Sequence, residues 1–206
     1  MNLGTTVVNN TEKLLSIEVI LLIVVIILIS LIFCVLFVPL IAKLFKKMFS
    51  ENKQVDISAS SKIRLINQLR EAVEYLSSTK TGAIITIENN DAIDNLRTDG
   101  VNIDANISAS LLMSIFNKQS PLHDGAVVIR NGKIIYAATY FKITRKSIDN
   151  KYGARHRAAM GISEISDATT IVVSEENGGV TIAKNAVFHP IDLAQFQERI
   201  ILFLKD

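Results

Sequence analysis

Twenty-four consecutive residues without a charge, Val19 to Ala42, constrain this chain more than any other feature. The run is dominated by Ile, Leu and Val. At ~1.5 Å rise per residue a helix of that length reaches ~36 Å, enough to cross a ~30 Å hydrocarbon core with some tilt. A cleaved signal peptide has a shorter apolar core of about 7–15 residues, a positive start and a small-residue cleavage site. Here the start holds Glu12, Lys13 and Glu18, and the end reads Leu-Ile-Ala-Lys-Leu-Phe-Lys-Lys, so the sequence favours a membrane span. Lys13 alone precedes the run, whereas Lys43, Lys46, Lys47 and Lys53 follow it. Basic residues stay on the cytoplasmic side, which puts the C-terminal part in the cytoplasm and residues 1–18 outside. Phe45, Met48 and Phe49 with these lysines suit an interfacial extension of the helix. Pro39 falls near the cytoplasmic end, where a kink is tolerated.

The rest of the 206 residues has ordinary globular composition and suffices for one medium-sized core. The expected organisation is a short outer N-terminus (1–18), a membrane helix (19–42), a basic juxtamembrane segment and polar linker (43–61) and a cytoplasmic domain (62–206). Lys plus Arg number 22 against 20 Asp plus Glu, a net charge of +2, far from the basic footprint of a nucleic-acid-binding domain. The only cysteine, Cys34, lies inside the apolar run, which excludes a disulfide framework and a Cys-based zinc site.

Within the domain, Ser60 or Ser61 is placed to cap a helix running to about Ser78, with Ile63, Ile66, Leu69, Val73 and Leu76 on one face. Gly82 to Glu88 reads as a buried strand, and a polar stretch continues to Gly100. Ser108 to Asn117 reads as a helix. Ala126 to Arg130 and Lys133 to Phe141 are strand-like runs joined by Asn131-Gly132, the strongest short-range hairpin signal. Ala158 to Ser166 reads as a helix, Thr169 to Ser174 and Val180 to Lys184 as strands, and Ile191 to Leu204 as an amphipathic helix. Irregular alternation with hairpins implies an α/β domain with a mixed sheet flanked by helices, not a doubly wound parallel one.

Three clusters carry chemistry. From Ser120 to Val128 the chain contains Asp124-Gly125-Ala126. It is either a plain turn entering a strand or a site where Asp124 coordinates a metal or activates a hydroxyl while two small residues admit a ligand to the backbone. The second cluster is Gly153-Ala-Arg-His-Arg-Ala-Ala159. On a helix Arg155 and Arg157 diverge by about 200°; in an extended segment they point the same way. An extended segment turning helical at about Ala158 would converge both guanidinium groups with free N–H groups, a phosphate site by two mechanisms. A solvated surface turn is the alternative. The third, Ser174-Glu-Glu-Asn-Gly-Gly179, is either a polar hairpin turn or the source of a carboxylate that joins Asp124 on a divalent cation.

Together these clusters resemble the diadenylate cyclase family, whose signatures are Asp-Gly-Ala and, some thirty residues on, Arg-His-Arg. Here they stand as Asp124-Gly125-Ala126 and Arg155-His156-Arg157. The text around Ile103, from Leu122 to Ile129, from Arg155 to Ile165 and from Val172 to Gly179 is similar as well, so the likeness covers about Gly82 to Lys184. A single span before the domain resembles the single-span membrane form of the family. Ala154 departs from the pattern, since the family often has Thr there and a hydroxyl contact to the nucleotide is missing.

The resemblance implies an enzyme, a nucleotidyltransferase in which each subunit binds one ATP. Two facing subunits, a homodimer or higher homo-oligomer, let each 3′-hydroxyl attack the α-phosphorus of the other ATP, giving cyclic di-AMP and two pyrophosphates. Asp124 would activate the hydroxyl directly or through a divalent metal ion, Mn or Mg. Glu176 and His123 are the further metal candidates. Arg155 and Arg157 would neutralise phosphate charge, with Gly125, Ala126, His156 and Ser174 around the substrate. Tyr140 and Phe141 would line the adenine, or else are ordinary core aromatics. The competing class is a membrane-anchored sensor that binds ATP or cyclic di-AMP without turnover. A metal-dependent phosphodiesterase would need a denser cluster than three histidines allow.

Overall fold

The computed structural model describes residues 19–38, 41 and 59–204. The chain divides into two units, Met1–Gln54 and Val55–Asp206. In the first, helix α1 (Val19–Val38) has a mean hydropathy of 3.7 and side chains exposed along its length. It is long and apolar enough to cross a membrane. The expectations for residues 1–18, for Pro39 and for the lysines and aromatics between Lys43 and Lys53 lie outside the described residues.

The second unit is a seven-stranded mixed sheet with helices on both faces. The elements run α2 (Ala59–Ser78), β1 (Ala83–Ile87), a 3-10 turn (Asp94–Leu96), β2 (Val101–Asn106), α3 (Ala109–Phe116), β3 (Ala126–Arg130) and β4 (Lys133–Thr139). Then come α4 (Ala154–Ser163), β5 (Thr169–Val173), β6 (Val180–Lys184), β7 (Val187–Ile191), a second 3-10 turn (Leu193–Gln195) and α5 (Phe196–Phe203). The strand order is β2-β4-β3-β1-β5-β6-β7; β1 and β3 pair in parallel and every other pair is antiparallel.

Strand alternation sorts the core into two layers. Ile85, Ile87, Val127, Ile129, Ile171 and Val173 face α2, α3 and α5, meeting Leu69, Leu76, Leu112, Phe116, Phe196 and Ile200. Ile84, Val128 and Val172 face the other way, onto Ala159 and Ile162 of α4. β1, β5 and β6 are buried along their whole length, as strands covered on both faces are.

The two edge strands were not expected from the sequence. β2 carries Asn102, Asp104 and Asn106 and is bulged between Asn102 and Ala105, with Asp104 at φ +43°. Its alternation is therefore broken where a pattern would show. β7 contains Pro190, which an edge strand tolerates because one side of it is unpaired. Three helix limits also differ. α2 is already helical at Ala59, so Ser60 and Ser61 are helical residues of α2. The last helix starts at Phe196, after a 3-10 turn whose Asp192 side chain accepts from the Ala194 N–H at 3.1 Å. α4 starts at Ala154, four residues before the expected position.

Two connections hold the ends of the sheet. α2 closes in a Schellman arrangement: Lys80 adopts φ +49°, its N–H donates to the Ser77 carbonyl at 3.1 Å, and Thr81 N–H donates to the Leu76 carbonyl at 2.8 Å. At the far ends of β1 and β3, Arg130 binds Glu88 through two nitrogens and Asp94 through one, at 2.6 Å. Burial pushes the Asp94 carboxyl up, but the bonds and charges of Arg130 and Arg97 outweigh it and hold the group below the usual range.

Candidate active site

Strand pairing decides which residues can meet. β1 and β3 are parallel, Ala83 lies opposite Val173, Ala126 opposite Thr139, and Val173 opposite Val180. The starts of β1, β3 and β6 and the ends of β4 and β5 therefore share one end of the sheet. Gly82, Asp124, Tyr140 and the Ser174–Gly179 turn all belong to that end.

Asp124 is exposed, and its Oδ2 accepts from the Tyr140 hydroxyl at 3.1 Å. That bond, with some burial and the carboxylate charge, raises the Tyr140 pKa. The neighbouring Phe141 points the other way, is 6% exposed and packs in the core facing α4, so it presents no face to a nucleotide at this end. Gly125 has φ +112°, and a Cβ on it would lie 2.8 Å from the Ala138 carbonyl carbon. Ala126 is 1% exposed. The small residues after Asp124 thus satisfy the crossing of β3 with β4, a packing demand separate from ligand access.

The second cluster is helical, contrary to the extended segment expected. Gly153 stands at the N-cap position and α4 already includes Ala154 and Arg155. Arg155 and Arg157 consequently diverge by about 200° and do not form a joint clamp. Arg155 Nη1 donates to Glu175 Oε2 at 2.9 Å. The guanidinium lies over Gly82, where a Cβ would come within 2.7 Å of Nη1. Arg155, Glu175, Gly82, Lys118 and His123 line a cleft of about 180 Å³. His123 Nδ1 sits 2.7 Å from the Ser120 carbonyl oxygen, a contact in which Nδ1 is the donor.

His156, Ser174 and Glu176 line a different cleft, of about 480 Å³. His156 is 7% exposed and packs against Tyr152 and Phe188, with ring centroids 5.0 and 5.9 Å away. Burial lowers its pKa. The adjacent glutamates of the turn thus serve separate clefts, Glu175 with Arg155 and Glu176 with His156. Among the described residues no group of three or more His, Cys, Asp or Glu gathers as a metal set, so Asp124, His123 and Glu176 do not form one within the chain. Sequence reasoning missed Glu175, Gly82 and Lys118. The Glu-Glu pair offered two carboxylates, and only the turn geometry selects between them.

An exposed carboxylate, a guanidinium seated over a glycine and a glycine-rich turn thus gather at one end of the sheet of an α/β domain. The family model described as "DisA bacterial checkpoint controller nucleotide-binding" matches residues 70–188, from within α2 into β7. The chain is 39% identical over 167 residues to a diadenylate cyclase of Mycoplasma genitalium, covering 80% of this chain and 82% of that protein. It is 41% identical over 127 residues to the cyclic di-AMP synthase CdaA of Bacillus subtilis, covering 61% of this chain and 46% of the relative. The crystal structure of DacA from Staphylococcus aureus, solved as a double cysteine mutant, superposes with a TM-score of 0.68 at 35% identity, covering 72% of this chain and all of that one. The chain belongs to the diadenylate cyclase family of nucleotidyltransferases.

Divalent metal dependence is general in this family. The donor chemistry at Asp124 fits such an ion. Mg²⁺ and Mn²⁺ sites commonly use one or two carboxylates and complete their shell with phosphate oxygens and water. Apart from the Tyr140 hydroxyl, the Asp124 carboxylate takes no hydrogen bond among the described residues.

Proposed function

We propose that this chain condenses two ATP molecules into cyclic di-AMP and two pyrophosphates, between two copies that face each other. The observation that supports it most is the convergence of Asp124, Tyr140, Arg155 and Gly82 at one sheet end, which unites the two sequence motifs of the family. In this reading Asp124 withdraws the proton from the ribose 3′-hydroxyl or holds the ion that lowers its pKa, and Tyr140 fixes the carboxylate. Arg155 neutralises phosphate charge in the cleft it lines with Gly82, whose missing side chain makes room for the guanidinium itself. Arg157 projects from the opposite side of α4 and serves the nucleotide held by the other copy. A divalent ion held by Asp124 would stabilise charge on the phosphates. Two oriented nucleotides supply the positional advantage of an intramolecular reaction.

α1 anchors the enzyme in a membrane, and the four lysines after the apolar run against one before it support a cytoplasmic domain. Confinement to a plane raises the effective concentration of the copies for each other. The test incubates the full chain in detergent with ATP and Mg²⁺ or Mn²⁺, follows pyrophosphate, and identifies the product by mass. Cyclic di-AMP whose yield per chain rises with protein concentration is expected. ATP binding without pyrophosphate would identify a sensor instead.

A further inference from the structure

We propose that Ser77, near the C-terminus of the helix that leads into the domain, is a positioning residue for the nucleotide site, acting through the Ser174–Gly179 turn on Glu175 and Arg155. The inference rests on the reading of Arg155 as a phosphate ligand.

The Ser77 hydroxyl donates to the Gly178 carbonyl at 2.6 Å, across 101 residues of sequence. The two residues also touch along their backbones. Gly178 has φ +75°, and a Cβ on it would lie 2.4 Å from the Ser77 carbonyl oxygen. A side chain at 178 would prevent the approach that the hydroxyl closes. The turn is rigid from within as well. Gly178 N–H donates to the Ser174 carbonyl at 3.0 Å, Ser174 N–H to the Gly179 carbonyl at 2.9 Å, and Gly179 N–H to Asn177 Oδ1 at 2.8 Å. Such a turn moves as a unit, so a bond at Gly178 fixes Glu175 three residues away. Glu175 in turn fixes Arg155 at 2.9 Å.

The same connection reaches Arg155 by a second route. After Ser77 the Schellman bonds of Lys80 and Thr81 lead directly to Gly82, over which the Arg155 guanidinium lies. The six residues from Ser77 to Gly82 therefore grip the Arg155–Glu175 pair from two sides, one by a hydrogen bond to the turn and one by a glycine floor. Neither contact reaches a reacting atom. Their effect is on the aim of the arginine, so it falls on ATP binding.

The experiment uses the full chain in detergent and measures KM for ATP, kcat for pyrophosphate release and the thermal midpoint. It compares the parent with Ser77→Ala, Ser77→Thr, Ser77→Cys, Glu175→Gln, the Ser77→Ala/Glu175→Gln double variant and Arg155→Ala. A lost neutral hydrogen bond predicts that Ser77→Ala raises KM about two- to ten-fold with a smaller change in kcat. Ser77→Thr should restore the parent KM, and in the Glu175→Gln background Ser77→Ala should add nothing further. Parent-like kinetics in Ser77→Ala, or a full additive effect in the double variant, would overturn the proposal. Should Ser77→Ala lose the fold, Ser77→Cys carries the test, since a parent-like KM with that weak donor overturns it equally. Arg155→Ala separates the premise: if it binds ATP like the parent, the reading of the arginine fails, whatever Ser77 does.

Discussion

The Tyr140 hydroxyl donates to Oδ2 of Asp124 at 3.1 Å, joining the residue after β4 to the residue two before β3. Asp124 is the carboxylate that the proposed chemistry cannot replace, whereas Tyr140 only orients it. Asp124→Asn should lose cyclic di-AMP formation and keep the parent thermal midpoint, because the side chain is exposed and buries nothing. Tyr140→Phe should keep the product and lower the rate, with one oriented hydrogen bond typically contributing about 0.5–1.5 kcal/mol. Product formation near parent levels in Asp124→Asn removes that carboxylate from the mechanism.

The helical placement of the Arg-His-Arg segment makes the two arginines unequal. Arg155 lines the Gly82 cleft and pairs with Glu175, and Arg157 leaves α4 on another side. Arg155→Ala should weaken ATP binding by about 1.5–3 kcal/mol, the range for hydrogen bonds to charged groups. Arg157→Ala should leave ATP affinity near that of the parent in dilute protein and lower turnover at concentrations where copies meet. Arg157→Lys keeps the charge without the planar fork, so it should recover part of that turnover. Equal losses of ATP affinity in both alanine variants would favour a shared clamp over the divergent arrangement.

Much of this was legible in sequence, and the failures have physical causes. The buried central strands announce themselves because both faces are covered, and Asn131-Gly132 fixes the β3–β4 hairpin, with both turn residues at positive φ. The edge strands β2 and β7 escape because one bulges at Asp104 and the other carries Pro190, so neither keeps a period. Asp124 and Arg155 stand out as chemistry-bearing types beside small residues. Glu175 does not stand out from Glu176, since two neighbours in a turn differ only in direction. Ser77 and Gly82 are ordinary in sequence and gain their roles from partners far along the chain, Gly178 for the first and Arg155 for the second.

Acid should weaken the fold in a window set by buried histidine. Burial holds His156 below its ordinary 6.5, and His189 is lowered by burial and then by Arg199. Above about pH 6.5 each ring is neutral folded or unfolded and contributes no slope. Below it the unfolded chain takes up protons that the folded chain resists. Stability therefore falls as pH drops from 6.5 until the folded rings themselves titrate. Asp94 and Asp149, both lowered from 3.8, act in a separate and more acidic window, giving stability that is lost as pH falls through their folded values. His156→Phe keeps an aromatic ring against Tyr152 and Phe188, and should flatten part of the slope below pH 6.5. Urea midpoints across pH check this, and an unchanged slope would mean that the His156 ring is not held neutral.

Gly161 tests how closely the segment after β4 crosses α4. By propensity, Gly161→Ala should stabilise a helix by about 0.5–1 kcal/mol. Here a Cβ would lie 2.0 Å from the Lys142 carbonyl oxygen and 3.0 Å from the Thr144 nitrogen, both backbone atoms. The segment is not free to retreat. Thr144 N–H donates to the Arg157 carbonyl at 3.0 Å, and its hydroxyl donates to Glu164 Oε1 at 2.7 Å. Relief of the clash breaks one or both bonds, each contributing about 0.5–1.5 kcal/mol, on top of an overpacking cost of about 1–3 kcal/mol. Those terms exceed the propensity gain, so Gly161→Ala should be less stable than the parent by about 1–3 kcal/mol. The same displacement shifts α4 and Arg155 against Asp124, so turnover should fall more than in an equally destabilised variant remote from α4. A urea midpoint at or above that of the parent would mean that loop and helix do not cross at this distance.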